Sequence, residues 1–436
     1  MEKLKPQQHP RDLWPIIAAI LISIGFWYWV FHILAPANAA VVLAAHRPIG
    51  NNSDLYPRWL GTRELLLHGR DPYSPEVTRE IQTGFYGRPL DPSNRSDPVA
   101  RESFVYPLYV AFFLAPTIGM PFHIVAAVFR WILLASVAAT IPLWMYVVRL
   151  HAKGPMIAAG MLLATSTSPG MYEYFQQNLA ALALLFLAAS VAAIVGGRLG
   201  LGGVLLAFST IKPDTTGPIV AWLLVWAVAH SGARGRLLWW FLGSLGLLTV
   251  GGECYSPHWV GSFFSAVREY PAYGTDPSVI QVLFPRPMAL AVTVALIGYV
   301  LVQIWRWRTA PAGSERFAWA IALIGATTLV ILPKLAGYNA LLLIPAILVL
   351  IDWYSRSAAR SMVSRALTKA VFACQIWQWL AASVLTLASF VLPATQIRLL
   401  AHAPDYTFIP LWPITLVALI IASTEAGKSM IAQQNE

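Results

Sequence analysis

Two charged side chains stand where a charge is costly and therefore informative. Asp54 follows the first long apolar stretch, in the segment Asn51 to Ser74, NNSDLYPRWLGTRELLLHGRDPYS. A carboxylate there serves as a general base if an attacking hydroxyl comes within hydrogen-bond reach. It serves equally as the cap of the helix that follows, paired with Arg58 one turn on. Lys212 lies between two apolar stretches, 199–212 and 215–230. Each is too short to cross the roughly 30 Å of hydrocarbon comfortably. A lysine at such a tip is costly unless it meets an anion, and a phosphate fits. The alternative is snorkelling to the interface with Asp214 as partner. Arg58, Arg63, Arg268, His258 and Lys334 are weaker phosphate ligands, because exposed arginines in long loops are mostly solvated or bind lipid head groups.

Other chemistries find little support. The nine His show no His-x-x-x-His or His-Cys spacing, and no Asp-x-Asp occurs. Cys254 and Cys374 are the only cysteines, one beside a loop and one inside an apolar stretch, which disfavours a disulfide framework or a cysteine-bound metal. No Walker loop or dinucleotide fingerprint is present, so no metal, cofactor or nucleotide donor is expected.

The elements that must position these residues are membrane helices. Of the 436 residues 57% are hydrophobic and 11% charged, against about 25% charged in soluble domains. Apolar stretches recur near 14–35, 122–148, 155–171, 178–196, 199–212, 215–230, 237–252, 287–305, 317–333, 339–354, 370–391 and 408–423. These spacings predict an all-α polytopic protein with about 12 transmembrane helices in a single domain, 1–436. The first stretch is too long and too aromatic for a cleaved signal peptide and reads as a signal anchor. The net charge of +10 comes without a basic, aromatic-interleaved run, so nucleic acid is not an expected partner; membrane lipids are. With an inside N-terminus, sixteen Lys and Arg fall in the inner segments, among them Lys3, Arg149, Arg234, Arg306, Arg356 and Lys428. The short outer segments hold five (Lys212, Arg268, Arg286, Lys334 and Arg398), so the positive-inside rule orients the chain with both termini cytoplasmic. Fourteen of the 20 acids then lie outside, many in the first outer loop, 36–121. That concentration points to an extracytoplasmic site. Within this loop the apolar stretch 104–120 holds Pro107 and Pro116 and ends against Pro121. It reads as a juxtamembrane or re-entrant helix, which is tolerable at depth only if protein covers it or water lines it.

The loop begins with a helix that Ser53 or Asp54 caps and Gly69 ends. Trp59, Thr62, Arg63 and Leu66 recur at helical spacing, as in an amphipathic helix lying at the interface. Ser74-Pro75-Glu76 opens a second short helix. Asp54, Tyr56, then Gly69, Asp71-Pro72-Tyr73 and later Tyr106-Pro107 form a pattern that resembles glycosyltransferase family 87, membrane enzymes of the GT-C class that include polyprenyl-phosphate-mannose-dependent mannosyltransferases. Gln177-Asn178 at the head of a span and Ile211-Lys212-Pro213 at a tip agree with it. The chain departs from the family at Gln176, which replaces a glycine, at Leu108, which replaces a second proline, and in the turn Pro333 to Asn339, where a late family motif is not evident.

The resemblance implies a GT-C-like fold and an inverting transferase in a bacterial inner membrane. The enzyme would move a hexose, mannose by analogy, from a polyprenyl-phosphate donor to a glycolipid or cell-envelope glycan acceptor. It assigns Asp54 the role of base. Lys212, with Arg58, Arg63, Lys334 and His258, would hold the donor phosphate. Tyr56, Tyr106, Glu173, Gln177 and Asn178 would meet substrate, although Glu173 is equally a wet helix end. The rival from another class is a transporter or flippase of lipid-linked sugars, which should show related halves and midplane charges. A polymerase or ligase of O-antigen type should carry its main loop late in the chain, whereas here it comes first.

Overall fold

The computed structural model describes residues 13–44, 50–51, 53–91, 93–94, 97, 102–270, 277–333, 336–356 and 361–434. Among them 80% helix and no strand is found. The chain opens with α1 (Trp14–Trp29), which runs through a π-helical turn at Val30–Leu34 into α2 (Ala35–Ala44). The first loop forms α3 (Leu55–His68), α4 (Pro75–Tyr86) and the single-turn α5 (Val110–Leu114). Next come α6 (Phe122–Val148), α7 (Gly154–Thr165), α8 (Ser168–Gln176), α9 (Ala180–Val195), α10 (Leu199–Ser209) and α11 (Pro213–Val228). Then follow α12 (Ser231–Tyr255), α13 (Trp259–Glu269), α14 (Val279–Leu283), α15 (Arg286–Arg306) and α16 (Glu315–Ile331). The chain ends with α17 (Leu343–Arg356), α18 (Met362–Ala388), α19 (Ala394–Leu399) and α20 (Phe408–Gln434).

Seven helical segments are long and apolar enough to cross a membrane: Trp14–Val42, Phe122–Val148, Ser231–Tyr255, Arg286–Arg306, Gly337–Arg356, Met362–Ala388 and Ala394–Ala426. The protein is therefore a polytopic membrane protein. The other five expected spans fall on shorter helices. The shortest, α10, has 11 residues and rises only about 16 Å at 1.5 Å per residue. Hydropathy marks these stretches as apolar, but breakers cut them short. Ser166-Thr167-Ser168-Pro169 ends α7, and Lys212-Pro213 separates α10 from α11. Of these, α10 lies between α9 and α12. Gly203 permits that approach, since a Cβ there would sit 2.6 Å from the Leu237 carbonyl oxygen. α16 is buried continuously from Phe317 to Val330, whereas α15 presents most of its apolar surface outward.

In the first loop, Gly69 ends α3 with φ 64°, and the Ser74 hydroxyl caps α4 by accepting from Val77 N. α3 differs from the expected interfacial helix. It buries Arg58, Thr62 and Glu64 as well as Leu55 and Trp59. Two of the polar residues find partners inside: Thr62 donates to the Arg58 carbonyl, and Glu64 binds His68 and Arg70, each at 2.9 Å. The stretch 104–120 becomes α5 and a 3-10 turn at Ala115–Thr117, together far too short to cross hydrocarbon. It packs on α3, with the Phe104 ring seated against Gly61.

Candidate functional site

The site gathers at three breaks in the helical architecture. At the first, between α8 and α9, Gln177 takes φ 53° and turns the chain so that Asn178 points back towards the start of α3. Asn178 Nδ2 donates to Asp54 Oδ2 at 2.7 Å, and Asn178 Oδ1 accepts from the Tyr106 hydroxyl at 3.2 Å and from Ala180 N at 3.0 Å. The Asp54 side chain makes no capping bond to α3. Ser53 does so instead, accepting from Leu55 N. Nor does the Asp54 carboxylate bond Arg58, whose guanidinium binds the Asp54 carbonyl at 2.7 Å and lies 3.8 Å from Glu102. Asp54 is thus a half-buried carboxylate oriented by an amide, with its other oxygen taking no hydrogen bond from the described residues.

At the second break, the α10–α11 tip, Lys212 is 6% exposed. Its ammonium lies 3.4 Å from Asp214 Oδ2, and 5.1 Å and 6.0 Å from the ring centres of Tyr338 and Tyr106. Arg58 lies 4.4 Å from the centre of the Tyr106 ring, so one ring neighbours two buried cations. The third break is the turn before α17, Gly337–Leu342, where Thr215 donates to Asn339 Oδ1 at 3.2 Å.

These breaks enclose a cavity of about 400 Å³ whose wall includes Arg58, Tyr106, Asn178, Lys212, Asp214 and Tyr338. Asp54 is not in the wall but is hydrogen-bonded to two wall residues, Asn178 through its carboxylate and Arg58 through its carbonyl. A second, apolar groove of about 850 Å³ runs along α11, α15 and α16, past Trp222, Val225, Leu301 and Ile324. It shares Asp214, Leu332 and Pro333 with the smaller cavity. Among the described residues, no three His, Cys, Asp or Glu side chains gather to hold a metal ion.

Not every expected residue reaches the cavity. Gln177 is spent on structure, donating to the Ala126 carbonyl at 2.6 Å and accepting from Ser53 at 2.6 Å. Tyr56 packs against the rings of Trp59 and Phe122 and against Gly84. Arg63 lies over Trp59 and does not line the cavity. His258 is exposed beside Glu253, and Arg268 is exposed near the end of α13. Lys334 lies outside the described residues, as do Lys3, Lys5, Arg11, Arg360 and Asp276. Conversely, Tyr338, Asn339 and Tyr270 line the cavity although their types gave no chemical signal. The first two lie in the late turn, where the sequence showed only a departure from the family pattern.

Glu173 is fully buried one helical turn before Gln177, its Oε1 accepting from Ala181 N at 3.0 Å and its Oε2 without a partner. Burial holds this carboxyl well above the usual carboxylate range, against the pull of the Ala181 amide and the Lys212 ammonium. A raised folded-state value means the bound proton stabilises the fold. That stability is complete below the unfolded value of about 4.3 and is lost as pH rises through the folded value. Melting temperature should therefore fall less steeply with rising pH in Glu173→Gln than in the wild type. Parallel profiles would mean that Glu173 is ionised in the fold.

Compared with known protein families, curated proteins and solved structures, the chain matches no family model, no curated protein and no solved structure.

Proposed function

We propose that the protein is an inverting glycosyltransferase of the outer face of a bacterial inner membrane, moving a hexose from a polyprenyl-phosphate donor to a glycolipid or cell-envelope glycan. Mannose is the sugar the family resemblance favours. The reaction is a single displacement. The acceptor oxygen bonds to the anomeric carbon as the bond from that carbon to the phosphate oxygen breaks. Polyprenyl phosphate leaves with the electron pair, and the acceptor proton passes to the Asp54 carboxylate. Lys212 and Arg58 supply positive charge for the leaving phosphate, so the step as drawn calls on no metal.

One observation carries this reading. The buried Lys212 ammonium stands where an apolar groove meets a smaller cavity holding two buried cations, at the Asp214 end that both share. An isoprenoid phosphate has the same polarity, a long apolar chain ending in an anion. The groove suits the chain, and Lys212 with Arg58 suits the head.

The test is transfer in proteoliposomes given radiolabelled polyprenyl-phosphate mannose or glucose together with extracted envelope glycolipids. Label should appear in a new glycolipid. Label that crosses the bilayer while still on polyprenyl phosphate would overturn the reading in favour of a transporter.

A further inference from the structure

A cavity of about 1010 Å³ lies on the far side of α13 and plays no part in the displacement above. Its size is at the upper end of the roughly 300–1,000 Å³ of small-molecule sites. α4 forms one wall through Ser74, Thr78 and Gln82, and α13 forms another through Gly261, Ser262 and Ser265. Three- and four-residue spacing puts each set on one face of its helix. The remaining face of α13, with Phe263, Phe264 and Val267, lines the inner cavity. The two chambers are thus separated by a single helix, about 10 Å thick. Tyr270, which follows α13, belongs to both walls. The segment 103–106 repeats the arrangement, giving Ser103 and Phe104 to the outer cleft and Val105 and Tyr106 to the inner cavity.

The chemistry of the two chambers differs. The inner one has two buried cations, Arg58 and Lys212. The outer one mixes Asp71 and Glu269 with Arg79 and His258, so it offers no cationic pocket for a phosphate. It offers the hydroxyls of Ser74, Thr78, Ser103, Ser262 and Ser265 beside the half-buried ring of Tyr73, with Phe104 and Tyr270 buried behind them. Hydroxyl groups exchange hydrogen bonds with sugar hydroxyls, and an aromatic ring such as that of Tyr73 covers the apolar C–H face of a pyranose.

We infer that this cleft binds the neutral oligosaccharide portion of the acceptor and presents its terminal hydroxyl past Tyr270 to the inner cavity. The assignment rests on the glycosyl-transfer reading for its purpose, but binding can be measured without any transfer. The probes are unbranched manno- and gluco-oligosaccharides, followed by saturation-transfer NMR on the protein in nanodiscs. The blocking variants are Ser265→Trp and Gly261→Trp. Both positions are exposed, and a Cβ at Gly261 meets nothing within 4 Å, so neither change disturbs packing. The wild type should bind an oligosaccharide, and each variant should bind it at least about tenfold more weakly. Polyprenyl-phosphate affinity and melting temperature should stay unchanged in both. A wild type that binds no oligosaccharide, or variants that bind as well as the wild type, would overturn the inference. Oligosaccharide binding without transfer from any donor would leave the cleft standing and remove the transferase reading. Transfer with an unchanged acceptor KM in Ser265→Trp would do the reverse.

Discussion

Asp54→Asn should reduce glycosyl transfer by about 100- to 10,000-fold, the usual effect of losing a general base, while leaving the fold and donor affinity close to wild type. The substitution is nearly isosteric, and the backbone bonds at this position persist. Asp54 N still donates to the Gln176 carbonyl, and the Asp54 carbonyl still accepts from Arg58. The bond from Asn178 Nδ2 persists as well, since an asparagine at 54 presents its carbonyl oxygen to it. Only the capacity to accept the acceptor proton disappears. The informative control is Asp214→Asn, because Asp214 is the carboxylate that does line the cavity wall. Its loss should change donor affinity and leave more than a tenth of the turnover. If Asp214→Asn abolishes transfer and Asp54→Asn does not, the base is Asp214, and Asp54 serves only to hold Asn178.

The second large effect is expected at Lys212. Lys212→Ala should weaken polyprenyl-phosphate binding by roughly tenfold to 150-fold, equivalent to about 1.5 to 3 kcal/mol for a charge-assisted contact to an anion. In the empty protein the ammonium is 3.4 Å from Asp214 and packed between two tyrosine rings. A donor phosphate competes with Asp214 for that ammonium and brings more acceptor oxygens. Lys212→Arg keeps the charge but needs space for a planar fork beside Tyr106 and Tyr338, so it should recover only part of the affinity. The measurement pairs lipid affinity with melting temperature for each variant. An alanine variant with unchanged affinity and a lowered melting temperature would leave Lys212 as a structural partner of Asp214 alone.

The two residues on which the proposed site turns were legible where their chemistry is local. Lys212 announced itself as a charge between apolar stretches, and Asp54 as a carboxylate ahead of a helix; the first lines the cavity and the second is hydrogen-bonded to its wall. Gln177 misled because its partners, Ser53 and Ala126, are 124 and 51 residues away, and spacing along the chain cannot show such pairings. Tyr338 and Asn339 were weak signals for the converse reason, acquiring meaning only when the turn before α17 folds against α11. Helix type was legible from composition throughout. Helix length was not, because an 11-residue apolar run inside a protein core has the same hydropathy as part of a full crossing.

The contacts that assemble the site span long stretches of chain, and this has a consequence for biosynthesis. Asp54 must wait for Asn178, 124 residues later, which at about 5–20 residues per second of synthesis is roughly 6 to 25 s. The Thr215–Asn339 bond spans another 124 residues, and Trp29 is held by the Ala401 carbonyl, 372 residues on. Early helices therefore enter the bilayer with their final partners not yet made, whereas Arg58 and Glu64 find partners within the first loop itself. A truncated product would retain spans able to insert, yet it would lack the closing contacts of α1. Such a product is the kind of species that membrane quality-control proteases recognise by its unpaired polar surface.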